Sequence, residues 1–98
     1  MSKLFAVFRT RGPRWAQGRS LEEQEEWEAH AAFMDRLFAE KFVLLAGPLE
    51  TLSEALLIIR AESAEAIEAR LAEDCWTRSG LLSTRLIAPW ELRLGLLG

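Results

Sequence analysis

The order of its apolar runs constrains this chain more than any other feature. Four short runs have strand character: Lys3–Arg9, Phe42–Ala46, Ala55–Arg60 and Leu82–Ala88. Side chains alternate along a strand, so Phe5 and Val7 share one face of the first run and Leu4, Ala6 and Phe8 the other. A stretch with helical periodicity follows the first run and another follows the third. Only a short connection separates the second from the third: Gly47-Pro48-Leu49, then Glu50–Glu54, polar apart from Leu52.

The first helical stretch is the longer. Ser20 has the chemistry of an N-cap, and Glu23 stands at the return position of a capping box. Glu22, Glu23, Glu25 and Glu26 crowd the first turns, where the positive end of the helix dipole favours carboxylates; Lys41 supplies the opposite charge at the far end. Trp27, Ala31, Met34 and Phe38 recur at helical spacing with Leu37 beside them. These signals predict one helix from Ser20 to Lys41, roughly 30 Å long. The only histidine, His30, lies at the edge of that stripe. The second run stops at Gly47-Pro48. Ser63 caps a shorter helix of about ten residues with Ala64, Ile67 and Leu71 inward, and Asp74–Gly80 reads as its end. Thr10–Arg19, with Gly12, Pro13 and Gly18, is a loop that carries Arg11, Arg14, Trp15 and Arg19 just after Arg9. The last run stops at Pro89-Trp90, and in the tail of residues 90–98 Leu92, Leu94 and Leu96 alternate with other residues like an extra strand.

The element order is therefore β-α-β-β-α-β, which predicts an α+β, ferredoxin-like fold with an antiparallel sheet. The 98 residues read as a single domain, residues 1–98. Half of the residues are hydrophobic, which argues against disorder. One cysteine excludes an internal disulfide, and with one histidine it cannot build a structural zinc site; a reducing, cytoplasmic setting is expected. No run approaches the length of a membrane span, and the first residues lack a signal-peptide core. A net charge of −3 and a pI near 5.2 disfavour general nucleic-acid binding. Arg outnumbers Lys ten to two and Asn is absent, as in thermophile proteins, although codon bias produces the same arginine preference.

The runs Val43–Ala46 and Leu56–Ile59 are apolar on both faces, whereas an antiparallel sheet usually keeps one face polar. Two helices cover one face. A second copy of the chain is the simplest cover for the other, so a homodimer or higher homo-oligomer is expected, packed sheet to sheet about a two-fold axis.

Four segments then stand in a telling order: Glu28-Ala29-His30, Leu45-Ala46-Gly47-Pro48-Leu49, Asp74-Cys75-Trp76-Thr77-Arg78-Ser79-Gly80-Leu81, and Ala88-Pro89-Trp90. Their order and spacing, over most of the chain, resemble the YCII-related family, a branch of the dimeric α/β-barrel (ferredoxin-like) superfamily. Where that family usually has Asp-Pro followed by Phe or Tyr, this chain has Asp74-Cys75-Trp76. The resemblance implies a dimeric α/β barrel and a His–Asp pair in a cleft of each subunit, which by position is His30 and Asp74. It also implies kinship with dehydrochlorinases, lyases acting on chlorinated hydroxyquinols, and by fold with muconolactone isomerases; most members have no assigned substrate.

The residues themselves leave alternatives open. His30 has the side chain suited to proton transfer near neutrality, or it is a partly buried helix histidine paired with Glu26. Asp74, read at the end of the second helix, opposes the dipole by roughly 0.3–1 kcal/mol. It is either functional against that preference or a turn residue paired with Arg70. Gly47-Pro48 either admits a ligand closely or simply ends a strand. Arg9, Arg11, Arg14 and Arg19 either bind a carboxylate or phenolate or form a solvated face. Cys75 has no second histidine to activate it and reads as a small buried filler. Trp15, Trp27 and Trp90 read as core or interface residues and Trp76 as pocket-lining. The combined expectation is a cofactor-independent lyase or isomerase acting on a small anionic cyclic compound. His30 and Asp74 would be catalytic, Arg9, Gly47, Pro48 and Trp76 substrate-binding, with no metal. The alternatives are a non-enzymatic small-molecule-binding module and an assembly domain without a ligand.

Overall fold

A computed structural model describes residues 2–95. The elements run β1 (Lys3–Arg11), a 3-10 turn (Leu21–Glu23), α1 (Trp27–Ala39), β2 (Val43–Pro48), β3 (Glu54–Ala61), α2 (Ala64–Leu71), α3 (Cys75–Ser79) and β4 (Leu82–Trp90). The strands form one four-stranded antiparallel sheet in the order β2-β3-β1-β4, the ferredoxin-like arrangement. Register pairs Phe5 with Ile59 and Val7 with Leu57, which gathers one apolar face. Phe33 and Leu37 of α1 and Ile67 and Leu71 of α2 pack on that face and complete the core. Ser63 caps α2 as its hydroxyl predicts, accepting from the Ala66 N–H at 3.1 Å.

The first helix is shorter than its end signals predict. Glu23 does return to the Ser20 N–H, at 2.9 Å, but the box closes only a 3-10 turn. The chain then leaves the helix at Gln24 and takes a left-handed step at Glu26 (φ 58°) before α1 begins, 13 residues and about 20 Å long. Tertiary hydrogen bonds account for the break. Gln24 turns inward and is 4% exposed, and its carboxamide bonds the Ala16 N–H and the carbonyls of Ala16, Arg19 and Ser20. The Glu25 carbonyl, which a continuous helix would direct to residue 29, accepts instead from the Trp76 indole N–H. At the other end Lys41 sits past the helix with φ 64°, and Lys41 and Phe42 bond back to Phe38 and Leu37 as in a Schellman cap.

The stripe is also rotated from its expected position. His30, Phe33 and Leu37 are the buried residues of α1, whereas Phe38, expected inward, is 65% exposed. Trp27, Ala31 and Met34 are half-buried and look into a cleft.

Asp74 is not the end of α2. That helix ends at Leu71, and Asp74 is the N-cap of the separate helix α3, its carboxylate accepting from the Trp76 N–H at 3.1 Å. The charge thus lies at the helix end that favours it, the reverse of the dipole argument from sequence. Cys75 takes the first helical position, where proline is common because its missing N–H is not needed. Asp-Cys therefore starts this helix as an Asp-Pro would.

β4 continues through Pro89 to Trp90, which an edge strand tolerates because no partner requires the missing N–H. Residues 91–95 form no strand, and the remainder of the alternating tail lies outside the described residues. The sheet face away from the helices carries Ala6, Phe8, Leu45, Leu56, Leu86, Ala88 and Trp90, neighbours by register. Leu45, Leu86 and Trp90 are exposed there. Among the described residues no helix is long and apolar enough to cross a membrane.

Candidate functional site

Three segments distant in sequence meet on the helix side of the sheet. The first turn of α1 brings His30, the start of α3 brings Asp74 and Trp76, and β1 brings Arg9 on the same face as Phe5 and Val7. They stand at one end of a cleft of about 520 Å³. Trp15, Trp27, Met34, Leu57 and Leu82 supply much of its apolar lining.

His30 and Asp74 form a buried pair. Nδ1 lies 2.8 and 3.0 Å from the two carboxylate oxygens. A carboxylate can only accept, so the neutral ring carries its hydrogen on Nδ1 and leaves Nε2 as the acceptor, on a residue that lines the cleft. Asp74 is itself fixed by the Trp76 N–H. The His30 ring lies flat on the Trp76 indole, with centroids 3.8 Å apart and planes 6° from parallel. Trp76 is fully buried, anchored by its bond to the Glu25 carbonyl at 2.6 Å and by Trp15 packed edge-on at 5.7 Å.

Arg9 is only 2% exposed although it borders the cleft. Its Nη2 donates to the Thr77 hydroxyl at 2.7 Å, while its Nε is buried without a partner. Burial lowers the guanidinium pKa and the nearby Asp74 charge partly restores it. Arginine keeps its proton throughout the physiological range.

The other predicted residues separate. Gly47 and Pro48 line the cleft from β2. A Cβ on Gly47 would meet nothing within 4 Å, so the protein's own packing does not require glycine there. Arg11 borders the cleft with its guanidinium 4.5 Å over the Trp15 ring. Arg14 turns away to an exposed pair with Glu25 at 3.3 Å, and Arg19 is exposed. His30 does not pair with Glu26, nor Asp74 with Arg70, whose partner is Glu40 at 2.8 Å. Cys75 is half-buried beside the pair; burial first, then the charges of Asp74 and Glu26, push its thiol pKa up, which suits a filler rather than a nucleophile. Among the described residues no group of three or more His, Cys, Asp or Glu side chains could hold a metal ion.

Sequence reasoning missed Gln24 and Thr77. Gln24 was legible only as the one amide among glutamates, and Thr77 carried no signal beyond lying in α3 near Asp74.

A family model for the YCII-related domain matches residues 4–91. No curated protein and no solved structure matches the chain.

Proposed function

The chain belongs to the YCII-related family, and from its buried pair we propose that it is a cofactor-independent lyase or isomerase that moves a proton on a small anionic cyclic compound. One observation carries this reading. A carboxylate sealed from water holds one ring nitrogen of a histidine that lines the cleft, and the other nitrogen is left as an acceptor. In this reading His30 takes a proton from substrate carbon at Nε2 and returns it to another atom or to a leaving group. Asp74 orients the ring and offsets the charge that forms on it. Trp76 fixes the ring plane, and its π face favours an imidazolium. Arg9, Gly47 and Pro48 are the proposed contacts for the substrate, and Trp76, fully buried behind the His30 ring, acts on it through that ring.

The test is solvent deuterium incorporation into a panel of cyclic keto acids, lactone acids and chlorinated phenols, followed by proton NMR. For any compound the protein turns over, His30→Ala should lower the rate by about 10²–10⁴ with the fold intact. Undiminished exchange in that variant would refute the acid–base role. Saturable binding without exchange by the native chain would replace it with binding alone.

We further propose that the chain works as a homodimer through the uncovered sheet face. The support is the register-contiguous apolar patch around Leu45, Leu56, Leu86 and Trp90.

A further inference from the structure

We infer that the cleft is built for a planar monocarboxylate whose acid group meets Arg9 while its ring lies among Trp15, Trp27 and Met34. The inference deepens the reading above and rests on it for the location of the ligand, not for proton transfer.

Arg9 is withdrawn from water, yet the protein meets its donors with one hydroxyl, that of Thr77, and leaves Nε with no acceptor. Unpaired donors on a buried cation are costly, and are retained where something else completes them. Asp74, whose charge reaches Arg9, does not do so, because both of its oxygens face His30 Nδ1 and one also takes the Trp76 N–H. The guanidinium fork matches a carboxylate side-on.

The surroundings restrict the class further. A phosphate ester brings about two negative charges near neutrality. Here they would stand beside Asp74 with Arg9 as the one buried guanidinium to receive them, since Arg11 at the border is held over the Trp15 ring. The N-terminus of α3 offers no relief, since its Asp74 cap already occupies the Trp76 N–H. One negative charge is what this end of the cleft accommodates. Beyond it the lining is mostly aromatic and apolar, with Arg11, Asp35 and Glu54 as its other charged residues, so that carboxylates outnumber cations around the cleft, and about 520 Å³ lies within the usual range of small-molecule sites. Trp27, half-buried, offers a flat surface for a flat ligand, while Trp15, with Arg11 over its ring, closes the wall beside it.

The experiment titrates the full chain, ¹⁵N-labelled, with benzoate, benzamide and phenyl phosphate, reading arginine Nε–H signals and tryptophan indole signals. Benzoate should move one arginine Nε–H signal that is missing in Arg9→Met, and bind about tenfold or more tighter than either benzamide or phenyl phosphate. In Arg9→Met the benzoate advantage over benzamide should disappear. If that variant does not fold, the ranking of the three probes on the native chain decides by itself, and Arg9→Lys, which keeps charge but not the fork, should weaken benzoate. Equal binding of benzoate and benzamide, tighter binding of phenyl phosphate, or an unmoved Arg9 signal at saturation would overturn the inference. None of these outcomes touches the His30 exchange test, so the two readings fail separately.

Discussion

The imidazole of His30 is held from two directions, edge-on by the Asp74 carboxylate and face-on by the Trp76 indole. Its tautomer is therefore determined. In ¹⁵N NMR of this single-histidine chain, the neutral ring should show a protonated Nδ1 and an unprotonated Nε2. Asp74→Asn, whose side chain can turn its NH₂ toward the ring, should shift the population toward the Nε2–H form. A native ring protonated at Nε2 would contradict the geometry. Cys75, next in sequence to Asp74, is governed first by its burial and then by the same charge. Its pKa is raised from an ordinary 9.0, so the folded chain holds the thiol proton more tightly than the unfolded chain does. The stabilisation from that proton is present below the unfolded value and is lost as pH rises through the folded one. Alkylation by iodoacetamide at pH 8 should accordingly be slower than for an unstructured cysteine peptide, and an equal rate would contradict the assignment.

Single elements are bent to serve this cluster. The break at Gln24–Glu26 frees the Glu25 carbonyl for Trp76 and lets Gln24 tie down the loop that carries Trp15. The same loop approaches the end of α3 where Gly12 donates to the Leu81 carbonyl at 2.8 Å. A Cβ on Gly12 would lie 2.1 Å from the Gly80 carbonyl oxygen, a backbone atom with little room to move. Gly12→Ala should cost about 1–3 kcal/mol by overpacking, lowering the melting temperature by roughly 4–8 °C per kcal/mol for a domain of this size. Gly47→Ala is the control. Its Cβ meets open space, so calorimetry should show little change or a slight gain. Equal melting temperatures for the two variants would mean that the close approach at Gly12 is relaxed in solution.

Among the described residues the sheet presents two unlike faces, one covered by helices and one bare. On the bare face the Arg85 guanidinium lies 5.1 Å over Phe8 and pairs with Glu54, so one corner is polar, while Leu45, Leu86 and Trp90 remain open. Light scattering at micromolar concentration should give twice the 11.1 kDa chain mass. Leu45→Glu combined with Leu86→Glu should return the monomer by placing charges in the interface. A monodisperse native monomer would end the dimer proposal.

The element order, the two faces of β1, the Ser63 cap and the doubly apolar second and third strands were all legible in the chain itself, because each is dictated by neighbours a few residues apart. The His30–Asp74 pairing was legible only through family resemblance, since 44 residues separate the two. The break in the first helix, the true buried stripe of α1 and the helix that Asp74 caps were not legible. In the first two a contact from a remote segment won against a local preference, whereas the Asp74 cap is itself a local bond, to the Trp76 N–H two residues along, and only the end of α2 at Leu71 separates it from that helix. The Trp76 indole took a carbonyl that helical geometry would have used, and loop carbonyls took the Gln24 side chain. Local periodicity thus determined which elements form and which residues are apolar. Long-range hydrogen bonding and packing determined where the helices begin, which stripe turns inward, and that Arg9, His30, Asp74 and Trp76 share one end of a cleft.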